Sequence, residues 1–256
     1  MPLKYLCLLA VFKNEAHILK EWVDHYIKEG VDKFFLINNN STDNFYDVLL
    51  PYINNGTVSL SNDSREHSQL AIYNDHIHVC KQYKWVIVCD LDEFIYARKD
   101  FKRIKRYLKS LDDKVSQICI PWKMFGSNGY DSYDKPQPSS VIHSFTKRKH
   151  DNGIINSKSI VKTQYLKKID IHEHRVVGGV QYNDPKNRFF MPINEEILQN
   201  SCLHLNHYAV QSLDWFMRVK ATRGACDNQI NIRDENYFRN FDHNDMEDLE
   251  LANKSY

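Results

Sequence analysis

The sequence predicts a single α/β domain with a mostly parallel central sheet flanked by helices, and three observations predict it. Apolar runs of strand length alternate with amphipathic helical stretches over the first 90 residues, the pattern of strand–helix–strand units with right-handed crossovers. The run Trp85-Val86-Ile87-Val88-Cys89 is continuous and rich in β-branched residues, as a central strand requires. Carboxylates crowd the point where that run ends, Asp90-Leu91-Asp92, with Glu93-Phe94 directly behind. Open α/β sheets place their ligands at the carboxyl ends of the strands.

The elements follow in order. Residues 5–12 form a first strand, and 15–29 a helix in which Ile18, Leu19, Trp22, Val23 and Tyr26 recur at helical spacing until Gly30 stops it. Phe34-Phe35-Leu36-Ile37 is a second strand, closed by the turn-rich Asn38-Asn39-Asn40-Ser41-Thr42-Asp43. A short helix around 44–53 precedes the strand Thr57-Val58-Ser59-Leu60; residues 68–83 are helical and 85–89 form the fourth strand. Beyond about residue 115 the pattern changes. Ser116 to Trp122 reads as a strand, a loop rich in Gly, Ser, Pro and Tyr covers 126–140, and strand-like pieces recur near 141–146, 158–163 and 173–180. An amphipathic helix over 210–222 carries Val210, Leu213, Phe216, Met217 and Lys220, and a polar, charged tail follows from about 231.

Composition narrows the class. At 256 residues, 42% hydrophobic and 12% aromatic, the chain has ample material for a packed core and no character of disorder. A net charge of +1 gives no electrostatic footprint for nucleic acid, and the basic stretches 103–106 and 147–149 are short enough to be solvated faces. No apolar run approaches the ~20 residues that span a bilayer. The first apolar run, bounded by Lys4 and Lys13, reads as a strand and not as a signal peptide. The six cysteines have no tight spacing and mostly sit in apolar segments, which suggests reduced thiols in a cytoplasmic protein. Asp75, His76, His78 and Cys80 lack the paired spacing of a zinc site and read as an exposed helix face.

Asp90-Leu91-Asp92 carries the chemistry. In an extended segment residues i and i+2 point to one side, so the two carboxylates are expected to converge. Such a pair suits a hard divalent cation, Mn²⁺ or Mg²⁺, that also holds substrate phosphates. A plain acidic turn is the competing reading. His204 or His207 could complete the ligand set, since neutral imidazole is a common transition-metal ligand. Lys220 and Arg223, one turn apart, could neutralise those phosphates or simply solvate a helix end.

Five segments in order carry a resemblance. Ala10-Val11-Phe12-Lys13-Asn14-Glu15, then Ile37 to Asp43, then Asp90-Leu91-Asp92 resemble GT-A glycosyltransferases of the family-2-like branch. Trp122-Lys123-Met124-Phe125-Gly126-Ser127 and the stretch from Asn206-His207-Tyr208 to Arg223-Gly224 resemble the family-92-type members of that group. The resemblance implies a GT-A (Rossmann-like) domain over 1–230, with a nucleotide-binding half of about 1–93 and an acceptor half of about 94–230, leaving 231–256 as the tail. It implies a metal-dependent enzyme that moves a hexose from a nucleotide sugar, UDP-linked, to a hydroxyl of a glycan or other acceptor, with inversion. Ala10, Phe12, Asn14, Glu15, Asn39, Gln69, Asn74, Asp90, Lys220 and Arg223 would contact the donor; Asn38 and Asn39 stand where the family has aspartates. Tyr73 shares a helix face with Gln69. Asp90, Asp92 and His207 would hold the metal, and Trp122, Gly126, Ser127, Tyr130 and Tyr133 the acceptor. A carboxylate would take the acceptor's proton, in order of preference Asp131, Glu173 and Asp214, the last equally able to pair with Arg218 or Lys220. Two other readings stay open: a haloacid-dehalogenase-like phosphatase with Asp90 as nucleophile, and a non-catalytic carbohydrate-binding protein.

Overall fold

The computed structural model describes residues 4–132, 140–150, 156–184, 187–188, 195–223 and 233–256. Four strands and three helices alternate at the start: β1 (Lys4–Phe12), α1 (Ala16–Glu29), β2 (Lys33–Asn38), α2 (Phe45–Asn54), β3 (Val58–Asn62), α3 (Gln69–Cys80) and β4 (Tyr83–Val88). Each boundary lies within a few residues of its predicted place. β1 pairs in parallel with both β2 and β4, and β2 with β3, which gives the order β4-β1-β2-β3. The chain therefore reverses its direction of travel across the sheet between β1 and β4, creating a switch point at their carboxyl ends. Residues alternate between faces along β1: Leu6, Leu8, Ala10 and Phe12 join the larger core under α1 and α2, while Cys7 and Leu9 face α3. Gly30 ends α1 with φ 98°, its N–H bonded to the Ile27 carbonyl, a left-handed cap that suits glycine.

The second half extends the same sheet. It runs through β5 (Glu93–Ala97), α4 (Ile104–Ser110), β6 (Val115–Met124), α5 (Val141–Ser144), β7 (Lys147–Arg148), β8 (Ser157–Lys162), β9 (Leu166–Lys168), β10 (Arg175–Val176), β11 (Val180–Asp184), β12 (Asn187–Arg188), α6 (Glu195–Asn200) and β13 (Leu203–His207). β8 is antiparallel to both β4 and β6, and β13 lies parallel to β6 and antiparallel to β5. The result is a mixed α/β domain with a mostly parallel first half, as predicted. Two expectations need correction. Residues 141–144 are a helical turn and not a strand, because the Ser140 hydroxyl caps it by accepting from the His143 N–H. The helix expected from 210 begins only at Leu213, since Gln211 takes φ 48° and Ser212 is the N-cap. This α7 (Leu213–Trp215) loosens into a π-helical turn over Phe216–Lys220 and a 3₁₀ turn over Ala221–Arg223; π turns of this kind are frequent at functional sites.

The tail is packed against the domain. α8 (Glu235–Phe241) lays Phe238 on the core, and β14 (Met246–Glu247) pairs with β7. Between them and the sheet lies a buried ionic network: Lys123 donates to Asp248 (2.9 Å), Glu250 (2.7 Å) and the Tyr96 hydroxyl (2.9 Å), and Arg148 donates to Asp248 (2.7 Å). Glu250 also meets Arg98 at 2.7 Å and His204 at 2.9 Å. Gly126 fits directly beneath the tail, where a Cβ would lie 2.3 Å from the His243 carbonyl oxygen.

Candidate functional site

A cleft of about 490 Å³ opens at the switch point, lined by the ends of β1 and β4, the start of α3, β8, the end of β13 and the π turn. Phe12, Glu15, Asn39, Gln69, Asp90, Asp92, Trp122, His207, Lys220 and Arg223 of the sequence-predicted set line it. Its floor is the turn Asp90–Glu93. The Asp90 N–H donates to Glu93 Oε2 (2.9 Å) and the Glu93 N–H to the Asp90 carbonyl (3.2 Å). From α1, Trp22 Nε1 donates to the carbonyls of Asp90 and Glu93 and the Tyr26 hydroxyl to Glu93, all within 3.2 Å. The Tyr208 N–H holds the Asp92 carbonyl at 2.8 Å.

That turn revises the expected ligand geometry. Because 90–93 curls, Asp90 and Asp92 share the cleft without sharing partners. Asp90 takes bonds from Gln69 Nε2 (2.8 Å), the Tyr73 hydroxyl (3.3 Å) and Lys158 Nζ (3.1 Å). Asp92 contacts the Lys220 ammonium and lies 3.6 Å from His207 Nε2. The group that could hold a metal ion among the described residues is Asp92, Glu93 and His207, whose ligand atoms lie within 4.8 Å of one another. Glu93 Oε1 and His207 Nδ1 are buried there with no hydrogen-bond partner, and two carboxylates with one imidazole form a set that fits Mn²⁺ or Mg²⁺.

The electrostatics separate the carboxylates. Burial works to raise Asp92, and Lys220 and His207 outweigh it, holding it well below the usual carboxylate range. Asp90 is lowered the same way, with Lys158 outweighing its burial. Glu93, 1% exposed, is pushed up by burial to about 8 although Lys158 stands 3.4 Å away. Burial lowers Lys220, and Asp92 only partly restores it. Arg223 completes the wall, donating to the Lys13 carbonyl at 3.0 Å and pairing with Glu15 at 3.0 Å.

Several predicted contacts serve the scaffold. Ala10 is fully buried in the core. Asn14 (φ 55°) ties two loops together, its Oδ1 accepting from the Thr42 N–H (2.7 Å) and its N–H donating to Ser41 Oγ (2.9 Å); α1 is capped from outside by Asp43, which accepts from the Ala16 N–H. Asn39 reaches the cleft while its amide secures the carbonyls of Asp63 and Arg65. Asn74 lies off the cleft and clamps Ile169 by two bonds, 2.8 and 3.0 Å. Gly126 and Ser127 anchor the tail, Ser127 bonding Asp242 through both its N–H and its hydroxyl. Tyr130 is 47% exposed and packs on Phe145. Tyr133 is outside the described residues.

The three carboxylates expected to act as base stand away from the cleft wall. Asp131 is exposed, and its carbonyl accepts from the Asp214 N–H; the Asp214 carboxylate pairs with Arg218. Glu173 is exposed, raised by burial and by Asp170. His204, the second metal candidate, is buried in the Glu250 network and donates or accepts nowhere near Asp92. Sequence reasoning missed Lys158, His172, Tyr237 and Phe241, all on the cleft wall. The one signal available was Lys158 within an otherwise strand-like segment, where an inward cation needs a carboxylate partner.

Two carboxylates and an imidazole opposite two cations, at the switch point of an α/β sheet, suit a protein that handles phosphorylated ligands. The sequence profile of glycosyltransferase family 92 matches residues 5–250, and the chain belongs to that family. Membership sets aside the phosphatase reading. A family 92 protein of Arabidopsis thaliana is 25% identical over 225 residues, 82% of this chain and 36% of its own length. One from Oryza sativa subsp. japonica is 26% identical over 132 residues, 48% of this chain and 22% of its own length. The chain thus spans well under half the length of these relatives. Among solved structures, S. aureus TarS in complex with UDP superposes with a TM-score of 0.42 at 15% identity, covering 63% of this chain and 47% of that one. GalNAc-T7 with UDP, GalNAc and Mn²⁺ gives 0.37 at 19% identity, covering 50% and 24%. Among the described residues no helix is long and apolar enough to cross a membrane.

Proposed function

We propose that the cleft binds a nucleoside-diphosphate sugar, UDP-linked, and transfers its hexose to a hydroxyl of a carbohydrate acceptor with inversion at the anomeric carbon. The observation that carries this reading is the Asp92–Glu93–His207 cluster at the switch point, faced by Lys220. Those three residues would hold Mn²⁺ or Mg²⁺, which when bound acts as a Lewis acid and template for the donor diphosphate. Lys220 and Arg223 stabilise charge on the departing nucleoside diphosphate. Asn39 and the backbone after β1 face the nucleoside end of the donor. Trp122 lines the opposite wall, and Tyr237 and Phe241 of α8, whose rings lie 4.4 Å apart, line the cleft as well; sugar rings stack on such faces. The acceptor O–H bond breaks as its oxygen bonds the anomeric carbon, and the carbon–oxygen bond to the diphosphate breaks with its electron pair leaving on the phosphate oxygen. The free thiols of Cys7, Cys80, Cys89, Cys119 and Cys202 fit work in a reducing, cytoplasmic setting.

Calorimetric titration with UDP, with and without Mn²⁺, tests the reading. Wild type should bind UDP in an Mn²⁺-dependent way, and Asp92→Ala should lose most of that binding together with release of UDP from UDP-sugars. A protein that binds no nucleotide under either condition would favour the non-catalytic carbohydrate-binding alternative.

A further inference from the structure

We propose, on the glycosyl-transfer reading above, that His172 is the catalytic base that deprotonates the acceptor hydroxyl. Among the described residues, five carboxylates line the cleft. Asp90 and Glu93 share Lys158, Asp92 meets Lys220, and Glu15 meets Arg223, so these four are committed to a cation or to the candidate metal cluster. The fifth, Glu66, is exposed and stands with His67 next to the loop that Asn39 secures, at the end of the cleft given to the nucleoside. His172 is committed to neither a cation nor that cluster.

The ring is fixed in a usable tautomer. Its Nδ1 lies 3.0 Å from the Ser157 carbonyl oxygen; a carbonyl only accepts, so Nδ1 carries the proton and Nε2 presents a lone pair. Nε2 makes no hydrogen bond among the described residues, and the side chain lines the cleft. Trp122 stands between His172 and the metal cluster, with ring centroids 5.2 Å from His172 and 4.4 Å from His207. A sugar resting on that wall would reach a base on one side and the donor on the other.

The loop that presents His172 is strapped down along its length. Asn74 clamps Ile169, Ser159 Oγ donates to the His172 carbonyl at 2.8 Å, and Gln117 grips His174 by its N–H and its carbonyl (2.9 and 3.1 Å). Preorganisation of this density around a half-open imidazole is what proton abstraction needs, because a misplaced base loses most of its rate advantage. The charged groups around the ring are Lys158 on β8, Asp90 at the end of β4 and Asp170 in its own loop; burial, aided by Lys158, outweighs the Ser157 hydrogen bond and the two carboxylates and lowers the imidazole below its usual range, so it is neutral near pH 7. In the step, the acceptor's O–H bond breaks toward Nε2, which becomes N–H. The acceptor oxygen forms the new bond to the anomeric carbon, and the diphosphate leaves with the electron pair of the old one.

The test measures UDP release from UDP-galactose, UDP-glucose and UDP-N-acetylglucosamine with Mn²⁺, in water alone and with a panel of methyl glycosides as acceptors. His172→Gln should lower turnover by ~10²–10⁴-fold, abolish the acidic limb of the kcat/KM pH profile, and leave UDP–Mn²⁺ affinity within about twofold of wild type, which also reports that the protein is folded. Imidazole added to His172→Ala should restore part of the rate. Glu173→Gln should stay near wild type. Normal turnover in His172→Gln overturns the assignment, as does a loss of UDP affinity in step with turnover, which would move His172 to the donor site. A wild type that binds UDP with Mn²⁺ while only Glu173→Gln or Asp131→Asn is inactive moves the base and leaves the transferase reading standing. A wild type that binds no UDP sinks both.

Discussion

Lys220 occupies the carboxylate that a divalent cation would share. Its ammonium contacts Asp92, and two positive charges a few ångströms apart in a partly dry site repel by several kcal/mol at an effective dielectric near 20. Lys220→Met should therefore raise the Mn²⁺ affinity of the nucleotide-free protein by roughly tenfold, a ~1.4 kcal/mol change well inside that repulsion. Turnover should fall ~10²-fold, because the leaving diphosphate loses a cation aimed at it. Titration calorimetry with Mn²⁺ and steady-state UDP release read the two effects, and unchanged Mn²⁺ affinity would show that Lys220 does not compete for Asp92. At this scale Asp92 and His207 were legible in the sequence because their motifs flank strand ends. Glu93 was not. Period-two reasoning sends residues 92 and 93 to opposite faces, and it fails here because 90–93 is a turn held by Trp22 and Tyr26, residues some 70 positions earlier in the chain.

Among the elements, the least legible was the segment after residue 231. It read as a polar, charged tail, yet Asp242, Asp248 and Glu250 answer Ser127, Lys123 and Arg148 at sequence separations of 100 and more. Hydropathy scores each residue alone and has no means of recognising a charge whose partner is buried. The alternating strands and helices of the first 90 residues were legible for the opposite reason, since their burial is set by local periodicity. Gly126 joins the two stretches. Gly126→Ala would place a methyl against the His243 carbonyl, and overpacking of this kind costs about 1–3 kcal/mol. The melting temperature should drop by ~2–10 °C, while UDP–Mn²⁺ affinity at 20 °C, well below the transition, changes little. Scanning calorimetry beside a binding titration checks this; an unaltered melting point would mean that the segment yields easily at that contact.

At the scale of the whole molecule, burial acts most strongly on three histidines among the described residues and holds them neutral: His25 on α1, His174 in the loop before β10 and His204 on β13. Burial lowers them to about 3, 4 and 4 in turn. For a base whose folded pKa lies below its unfolded value near 6.5, the unfolded chain binds the proton first. Stability is then fully present above pH 6.5 and is lost as pH falls toward 4. Glu93, raised to about 8, titrates in the same window with the opposite sign, so the histidine contribution is read as a difference between proteins. In urea unfolding at pH 5, 6 and 7, the advantage of wild type over His174→Gln should grow with pH by up to about 1.4 kcal/mol per unit. A difference that stays constant across the three pH values would mean that His174 is not held neutral. The ionic network beneath residues 242–250 also has a kinetic side. Lys123 lies 125 positions from Asp248 and 127 from Glu250, and Arg148 lies 100 from Asp248. A chain that has assembled its sheet without docking that segment keeps Lys123 facing a dry interior with no counterion and leaves Arg148 only Glu195, 4.0 Å away, a state several kcal/mol uphill. Docking the segment closes loops on the order of a hundred residues, whose entropy must be lost before the ionic contacts repay it.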